Sequence, residues 1–147
     1  MKFRLIILLL GLLVRAANAA TTWYVSASSG NDSNGGKSED KSFLTIQKAV
    51  NSAAAGDTII VADGTYATIS TSNKKVLIRS KNGASKSIIN GGGSARCATL
   101  GSETTHTNTV LQGFTLRNGY QSNSLGGGGA FGGTLINCII RNNSIAN

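Results

Sequence analysis

A segment near the end of the chain can be aligned with an earlier one at an offset of 24 residues. Residues 111–119 read LQGFTLRNG and residues 135–143 read LINCIIRNN. Leucine, arginine and asparagine recur identically, and apolar residues recur in kind at two further positions. A period of this length that contains short strands is typical of a solenoid, in which each coil completes the core of its neighbour.

Short apolar runs occur along most of the chain, between turns rich in Asn and Gly. They predict strands at residues 22–26, 58–61, 76–78, 88–89, 98–100, 110–116 and 135–140. Alternation places Leu116 and Ile140 on the inward face, and stacking of equivalent turns predicts an amide ladder of Asn118 and Asn142. An antiparallel sandwich is the alternative, but the 24-residue spacing is long for tight hairpins.

The composition favours an all-β protein with many turns. The 147 residues include 19 glycines and no proline, with only 5% aromatic and 14% charged residues. Such a chain is long enough for one domain with a core, and it suits short strands better than a helical bundle.

Residues 1–19 have the pattern of a secretory signal peptide. A basic start is followed by an apolar run at 5–14 and by Ala17-Asn18-Ala19, which predicts cleavage after Ala19. A transmembrane anchor is the alternative, but ten residues are too few to cross the bilayer as a helix. We therefore expect residues 20–147 to be secreted or displayed on the outer cell surface, without a transmembrane span.

Residues 42–55 change to a helical period. The apolar positions form one stripe: Ile46, Ala49, Val50 and Ala53. Ser42 or Thr45 can serve as the N-cap, and Gly56 is expected to end the helix. The sequence thus predicts a cap region at about 42–56 and strand-bearing coils at about 57–147, with the amphipathic helix covering an exposed end of the strands.

Five motifs have a familiar order. They are YVSASSGNDSNGG at 24–36, FLTIQKAV at 43–50, GDTIIVADGTY at 56–66, IINGGGS at 88–94 and GFTLRNG at 113–119. Together they resemble the N-terminal part of exported bacterial right-handed parallel β-helix proteins of the pectin-lyase-like superfamily. The resemblance implies a right-handed parallel β-helix whose end is capped by the helix at 42–56.

The resemblance implies two classes of function. Members of the group include polysaccharide lyases and pectate lyases, and also large surface proteins and adhesins without known activity. Relatives are several hundred residues long, so we expect residues 20–147 to be the N-terminal portion of a longer protein, or else an unusually short member. The leading expectation is a scaffold or adhesin, the alternative is a carbohydrate-active enzyme such as a lyase, and the third is a short glycan-binding module. No cofactor is expected in this stretch; lyases of the group often use calcium, so the resemblance allows calcium in a full-length protein.

No catalytic constellation is visible in the residues. Asp57 and Asp63 flank a strand and are interpreted as turn residues, and His106 is a lone histidine predicted to lie in an exposed loop. We therefore predict no catalytic residue in this stretch.

The polar segment 28–41 is interpreted as a solvated surface loop. Asp32, Asn34, Glu39 and Asp40 carry the oxygens that calcium prefers. The D-x-[DN]-x-[DN]-G spacing of a calcium loop is absent, so no metal site is predicted.

Arg117 and Arg141 are the candidate binding residues. Each follows an inward position of the repeat and should point outward, on neighbouring coils, where the pair can bind carboxylate or sulfate groups of an acidic glycan. Two arginines that extend into water without binding are the alternative. Removing Lys2, Arg4 and Arg15 with the signal lowers the formal net charge from +8 to +5. With no basic cluster beyond a Lys pair, nucleic acid is not expected as a partner.

Two cysteines complete the candidates. Export permits a disulfide between Cys97 and Cys138. Cys138 lies within an apolar run, where a small buried side chain is expected, so two unpaired core thiols are favoured over the disulfide.

Overall fold

The computed structural model describes residues 19–102, 108–122 and 126–146, and its strands pair in parallel. The strands are β1 (Thr22–Val25), β2 (Thr58–Val61), β3 (Gly64–Tyr66), β4 (Ile69–Ser70), β5 (Leu77–Ser80), β6 (Ser87–Asn90), β7 (Ala98–Thr99), β8 (Val110–Gln112), β9 (Thr115–Arg117), β10 (Tyr120–Gln121), β11 (Ala130–Phe131), β12 (Thr134–Ile136), β13 (Ile139–Arg141) and β14 (Ser144–Ile145). The helical elements are α1 (Ile46–Ser52) and a 3-10 turn at Glu39–Lys41.

Nearly all of the predicted signal peptide, residues 1–18, lies outside the described residues, and so does His106. Within the part of the chain that is described, no helix has the length and apolar character needed to cross a bilayer.

The strands form three larger sheets and one pair. Sheet A has the order β1-β2-β5-β8-β12, sheet B has β3-β6-β9-β13, sheet C has β4-β7-β11, and β10 pairs with β14. From β2 to β9 the chain passes through sheets A, B and C in turn and returns to sheet A; after β9 it enters the separate pair at β10 before it reaches β11 in sheet C. A protein made mostly of parallel-stranded sheets, with little helix, is compatible with the predicted parallel β-helix.

The register confirms the 24-residue repeat. Leu111 pairs with Leu135, and Leu116 pairs with Ile140. Inward side chains therefore stack from strand to strand, and Leu111 and Leu116 are fully buried in one hydrophobic cluster that also contains Ile78. Burying one such side chain stabilises the fold by about 1.5–3 kcal/mol.

The two longest predicted strands are each divided in the structure. The run at 110–116 forms β8 and β9, separated at Gly113, whose φ is +76°. The run at 135–140 forms β12 and β13, separated at Asn137, whose φ is +51°. Gly and Asn tolerate this left-handed conformation, so the same bend recurs at the same place in both coils.

Two details of the predicted stacking are different. Ile140 lies in register with buried Leu116 but is 55% exposed, because no further described strand pairs with β13. Asn118 and Asn142 occupy equivalent turns with φ of +53° and +54°, yet the predicted amide ladder between them is not formed.

A different asparagine joins the neighbouring coils. Asn143 Oδ1 accepts a hydrogen bond from the Gly119 N–H at 2.7 Å, and its Nδ2 donates to the Leu116 carbonyl at 3.0 Å. This side chain thus supplies the contact between coils that the ladder was expected to make.

The N-terminus of α1 lies where the sequence predicts it. Thr45 is the N-cap, and its hydroxyl accepts the Lys48 N–H at 3.1 Å. Ile46, Ala49 and Val50 are buried and pack with the core, because α1 lies against β1, β2 and β4. The predicted stripe therefore does contact the strands.

The C-terminus of α1 is earlier than predicted. The helix ends at Ser52, and Gly56, with φ of +96°, lies beyond it in a separate turn. The Lys74 ammonium donates to the carbonyls of Val50 and Ala53 at 2.6 and 2.8 Å. A distant lysine satisfies the last carbonyls, which removes the need for glycine at this helix end.

The loop at 28–41 lies on the surface with most of its residues exposed, as predicted, but it also has a structural role. It covers the free edge of β1, where Tyr24 donates its N–H to Gly36 and accepts from Phe43, and Ser26 donates to Phe43, all at 2.9 Å. A Cβ at Gly30 would collide with the Phe43 carbonyl oxygen. The loop therefore protects an edge strand that would otherwise present unpaired backbone groups.

Asp57 closes the turn after α1, as predicted, with its N–H donating to the Ala54 carbonyl at 3.2 Å, but it also has a larger role. It is 5% exposed, and its carboxylate accepts hydrogen bonds from the Thr21 N–H, the Trp23 indole N–H and the Ala54 N–H, each at 2.8 Å. It joins β1, the segment after α1 and β2. Asp63 is exposed and accepts one bond from the Asn82 amide, as a turn residue would.

These two aspartates flank the same strand, but truncating them should have very different effects on stability. Asp57→Ala leaves three donors without their acceptor and should lower the free energy of unfolding by about 2–4 kcal/mol. Asp63→Ala should change it by less than about 0.5 kcal/mol. Urea unfolding followed by circular dichroism measures both, and equal losses would contradict the assigned role of Asp57.

Candidate functional site

The candidate arginines lie side by side on the outward face of sheet B. Arg117 in β9 pairs in register with Arg141 in β13 and, on its other side, with Asn90 in β6. Adjacent strands are about 4.8 Å apart. The structure therefore brings Arg117 and Arg141 together as the repeat predicts.

The two guanidinium groups have different surroundings. Arg141 is exposed, whereas Arg117 is half-buried and its buried Nε has no hydrogen-bond partner among the described residues. Within the described ranges neither has a carboxylate at ion-pair distance, and the ion pair found there joins Lys81 to Glu39. The site is thus a pair of cations that the described part of the chain leaves uncompensated.

A shallow cleft lies at the turns that follow both arginines. Its volume is about 430 Å³, and its lining comes from the turns after β6, β9 and β13 and from the first residue of β14: Gly92, Gly93, Asn118, Gly119, Asn142 and Ser144. Main-chain groups and amide side chains dominate this lining, so an extended polar ligand can continue from the arginines along the turns.

Sequence reasoning identified both arginines and missed Asn90 as their neighbour. Asn90 pairs with Arg117 across 27 residues, whereas Arg117 and Arg141 are separated by 24. Because this spacing differs from the 24-residue repeat, the sequence does not show that β6 aligns with β9. The signal that could have shown it is the apolar pair before Asn90, which resembles the inward positions of the later coils.

The acidic residues of the 28–41 loop act within the fold. Asp32 Oδ1 accepts the N–H groups of Leu44 and Thr45 at 2.9 Å, and Oδ2 accepts the Thr45 hydroxyl at 2.8 Å. Glu39 pairs with Lys81 at 2.6 Å. Among the described residues, no three His, Cys, Asp or Glu side chains lie close enough together to hold a metal ion.

Both cysteines are free thiols in the structure. Cys97 is fully buried, and its thiol donates to the Arg117 carbonyl at 3.2 Å. Cys138 is half-buried, packs against the core and donates to the Leu111 carbonyl at 3.4 Å. The predicted unpaired thiols are confirmed, although Cys138 is less buried than expected.

Comparison with family profiles gives a match over part of the chain. The profile of a family of β-helix-like proteins, described as "Protein of unknown function (DUF1565)", matches residues 28–82. No curated protein and no solved structure matches the chain. The matched segment contains the edge-covering loop, α1 and strands β2 to β5, and it ends before Arg117 and Arg141.

The carboxylates of Asp32 and Asp57 predict acid-dependent stability. Burial raises both pKa values, but hydrogen bonds and a nearby lysine, Lys48 for Asp32 and Lys37 for Asp57, outweigh it, so both pKa values are lowered from 3.8. The native carboxylates stay ionised at a pH where the unfolded chain binds protons. Their contribution to stability is therefore complete above that ordinary value and is lost as the pH falls through the lower native pKa.

Accordingly, the free energy of unfolding should fall as the pH drops below about 4 and should change little from about pH 5 to 7 on account of these two groups. Asp57→Asn removes one titrating group, so its stability should fall less steeply below about pH 4. Urea titrations at several pH values measure the slope. A slope identical to that of the unchanged protein would show that Asp57 does not contribute.

The thiols should differ in reactivity. Burial raises the pKa of Cys97 and disfavours its reactive thiolate. With an aromatic disulfide reagent, the folded protein should release one equivalent quickly and the second only after unfolding. Cys138→Ala should abolish the fast phase, and a fast phase that persists would contradict this assignment.

Proposed function

We propose that the chain forms the N-terminal part of a right-handed parallel β-helix, with α1 and the loop at 28–41 as its cap. Three observations support this architecture: the cyclic passage through three parallel sheets, the stacked apolar positions, and the packing of α1 against β1 and β4. A loop and a helix over edge strands β1 and β4 are what the end of such a stack requires.

The location of the protein is part of the proposal. The pattern of residues 1–19 supports export, and the polar, Gly-rich composition supports an extended scaffold exposed to solvent. The proposed protein is therefore a secreted or cell-surface scaffold of the adhesin type.

The proposed activity of this scaffold is binding of acidic polysaccharide. The observation that carries it is the registered pair Arg117 and Arg141, which has no acidic partner in the described residues. Like charges on directly opposite positions of neighbouring strands are destabilising. An anionic ligand removes this repulsion and gains charge-assisted hydrogen bonds from both guanidinium groups.

The buried Nε of Arg117 adds a second reason. An N–H that is removed from water without a partner has a free-energy cost of about 1–3 kcal/mol. The fold covers this atom, so the proposal requires the Arg117 side chain to turn outward on binding, where a carboxylate or sulfate oxygen accepts from the N–H and recovers that cost. Arginine suits the task because its planar guanidinium binds such groups through two parallel hydrogen bonds.

The test is retention on immobilised polygalacturonate, with dextran as the neutral polymer. The unchanged protein should be retained on polygalacturonate and released by salt, and it should not be retained on dextran. The double substitution Arg117→Gln and Arg141→Gln should weaken the affinity at least about tenfold and lower the eluting salt concentration, because two charged donors are lost.

A matched control separates the site from net charge. Lys75→Gln combined with Arg79→Gln removes the same formal charge from exposed positions near sheet A. This control should elute close to the unchanged protein. Equal losses for the two double variants, or full retention of the Arg117 and Arg141 variant, would contradict the proposed site.

A further inference from the structure

A small cavity lies between the 28–41 loop and sheet A, away from the arginine pair on sheet B. Its volume is about 120 Å³. Tyr24 and Ile60, which pair across β1 and β2, line it, together with Ser26, Ala62 and Lys81, which follow the carboxyl ends of β1, β2 and β5. The loop that covers the edge of β1 thus encloses a space on the sheet.

Ser42 gives this cavity an unused hydrogen-bonding group. The residue lines the cavity and is 2% exposed, and its Oγ has no hydrogen-bond partner in the described part of the chain. Its carbonyl is held by the Asn31 N–H at 3.0 Å and the Asn34 amide at 2.9 Å. The backbone is therefore fixed while the hydroxyl lacks a partner, an arrangement that has a cost in free energy unless a ligand supplies one.

A second hydroxyl in the cavity has capacity to spare. Ser29 Oγ bonds to Ser26 Oγ at 2.9 Å, and Ser26 Oγ also accepts the Ser29 N–H at 3.2 Å. A hydroxyl offers one donor and two acceptor positions, so Ser29 retains further bonding capacity. Ser29 and Ser42 can therefore both form hydrogen bonds with one ligand in the cavity.

Glu39 and Lys81 add a balanced pair of charges. Their ion pair joins Nζ to Oε1 at 2.6 Å, and the side chains are 62% and 46% exposed. An exposed ion pair contributes little to stability, so it can separate for a ligand at small cost. Because the two charges cancel, the cavity offers one strong acceptor and one strong donor without favouring an anion.

The shape and lining together define the ligand. The volume is several times the 10–15 Å³ or so that one water requires. Ile60 and Ala62 give the lining an apolar part, and its other residues include groups that accept and donate hydrogen bonds. A sugar ring has apolar C–H faces and a rim of hydroxyls. We propose that this cavity binds one neutral sugar unit, independently of Arg117 and Arg141.

The test is titration of the isotope-labelled protein with D-glucose, D-galactose and D-mannose, each as the free sugar and as its methyl glycoside, followed by amide NMR. At least one sugar should cause saturable shifts of the Ser29, Glu39, Ser42 and Lys81 signals, with a dissociation constant of about 0.1–10 mM. Binding of the free sugar alone indicates a free monosaccharide, and binding of the glycoside as well indicates the end of a glycan.

Ser42→Ala distinguishes a ligand site from a structural hydroxyl. It should weaken sugar binding at least about tenfold while leaving the unfolding midpoint unchanged or higher, since the lost group has no partner in the fold. Ser85→Ala, at an exposed position that does not line the cavity, should bind as the unchanged protein does. Ala62→Val, which fills part of the space, should also reduce binding.

Three results would overturn the proposal. One is that none of the six compounds shifts the cavity signals at about 50 mM, which is well above the expected dissociation constants. Another is that Ser42→Ala binds as tightly as the unchanged protein. The third is a crystal structure of the protein soaked in the sugars that shows ordered water only in the cavity.

Discussion

In-register stacking of parallel strands is the constraint on which the rest of the structure depends. Each inward side chain lies beside its equivalent on the next strand, as Leu111 does with Leu135 and Leu116 with Ile140. Because side chains alternate between faces, a slip of one residue would move every apolar side chain of a strand to the outside. The same register therefore fixes the core, the bends between strands and the positions of the outward arginines.

A stack of this kind has an end, and its edge strand needs a partner. Here Gly36 of the loop at 28–41 and Phe43, just after the loop, supply it, and two carboxylates hold the covering segments in place. Asp57 joins the strand β1 to the segment after α1, and Asp32 ties the loop to the start of α1. These carboxylates are buried or half-buried, and each accepts several N–H groups. Their role here is to join separate segments of the chain, which goes beyond closing a turn.

The sequence predicts a feature best when the pattern that encodes it lies within one segment or recurs at a constant spacing. Helix α1 and the later repeat were predictable because a stripe or an identical offset records them. In sheet A, however, partners are separated by 19, 33 and 24 residues in successive pairs, and such unequal insertions hide the earlier coils. The role of Asp57 was also hidden, because its partner Trp23 is 34 residues away and only the folded chain brings them together.

The sequence also predicts only part of the arginine site. Alternation and the repeat were enough to place Arg117 and Arg141 outward on neighbouring strands, but not to show that one guanidinium is half-buried with an unpaired Nε. Nor could they predict the unpaired hydroxyl of Ser42, because the absence of a hydrogen-bond partner depends on which groups the folded chain brings near it. Stacked coils repeat the same outward side chains, so the sequence repeat predicts them. The cavity under the loop at 28–41 has no such repeat, and only the packing of the folded chain reveals it.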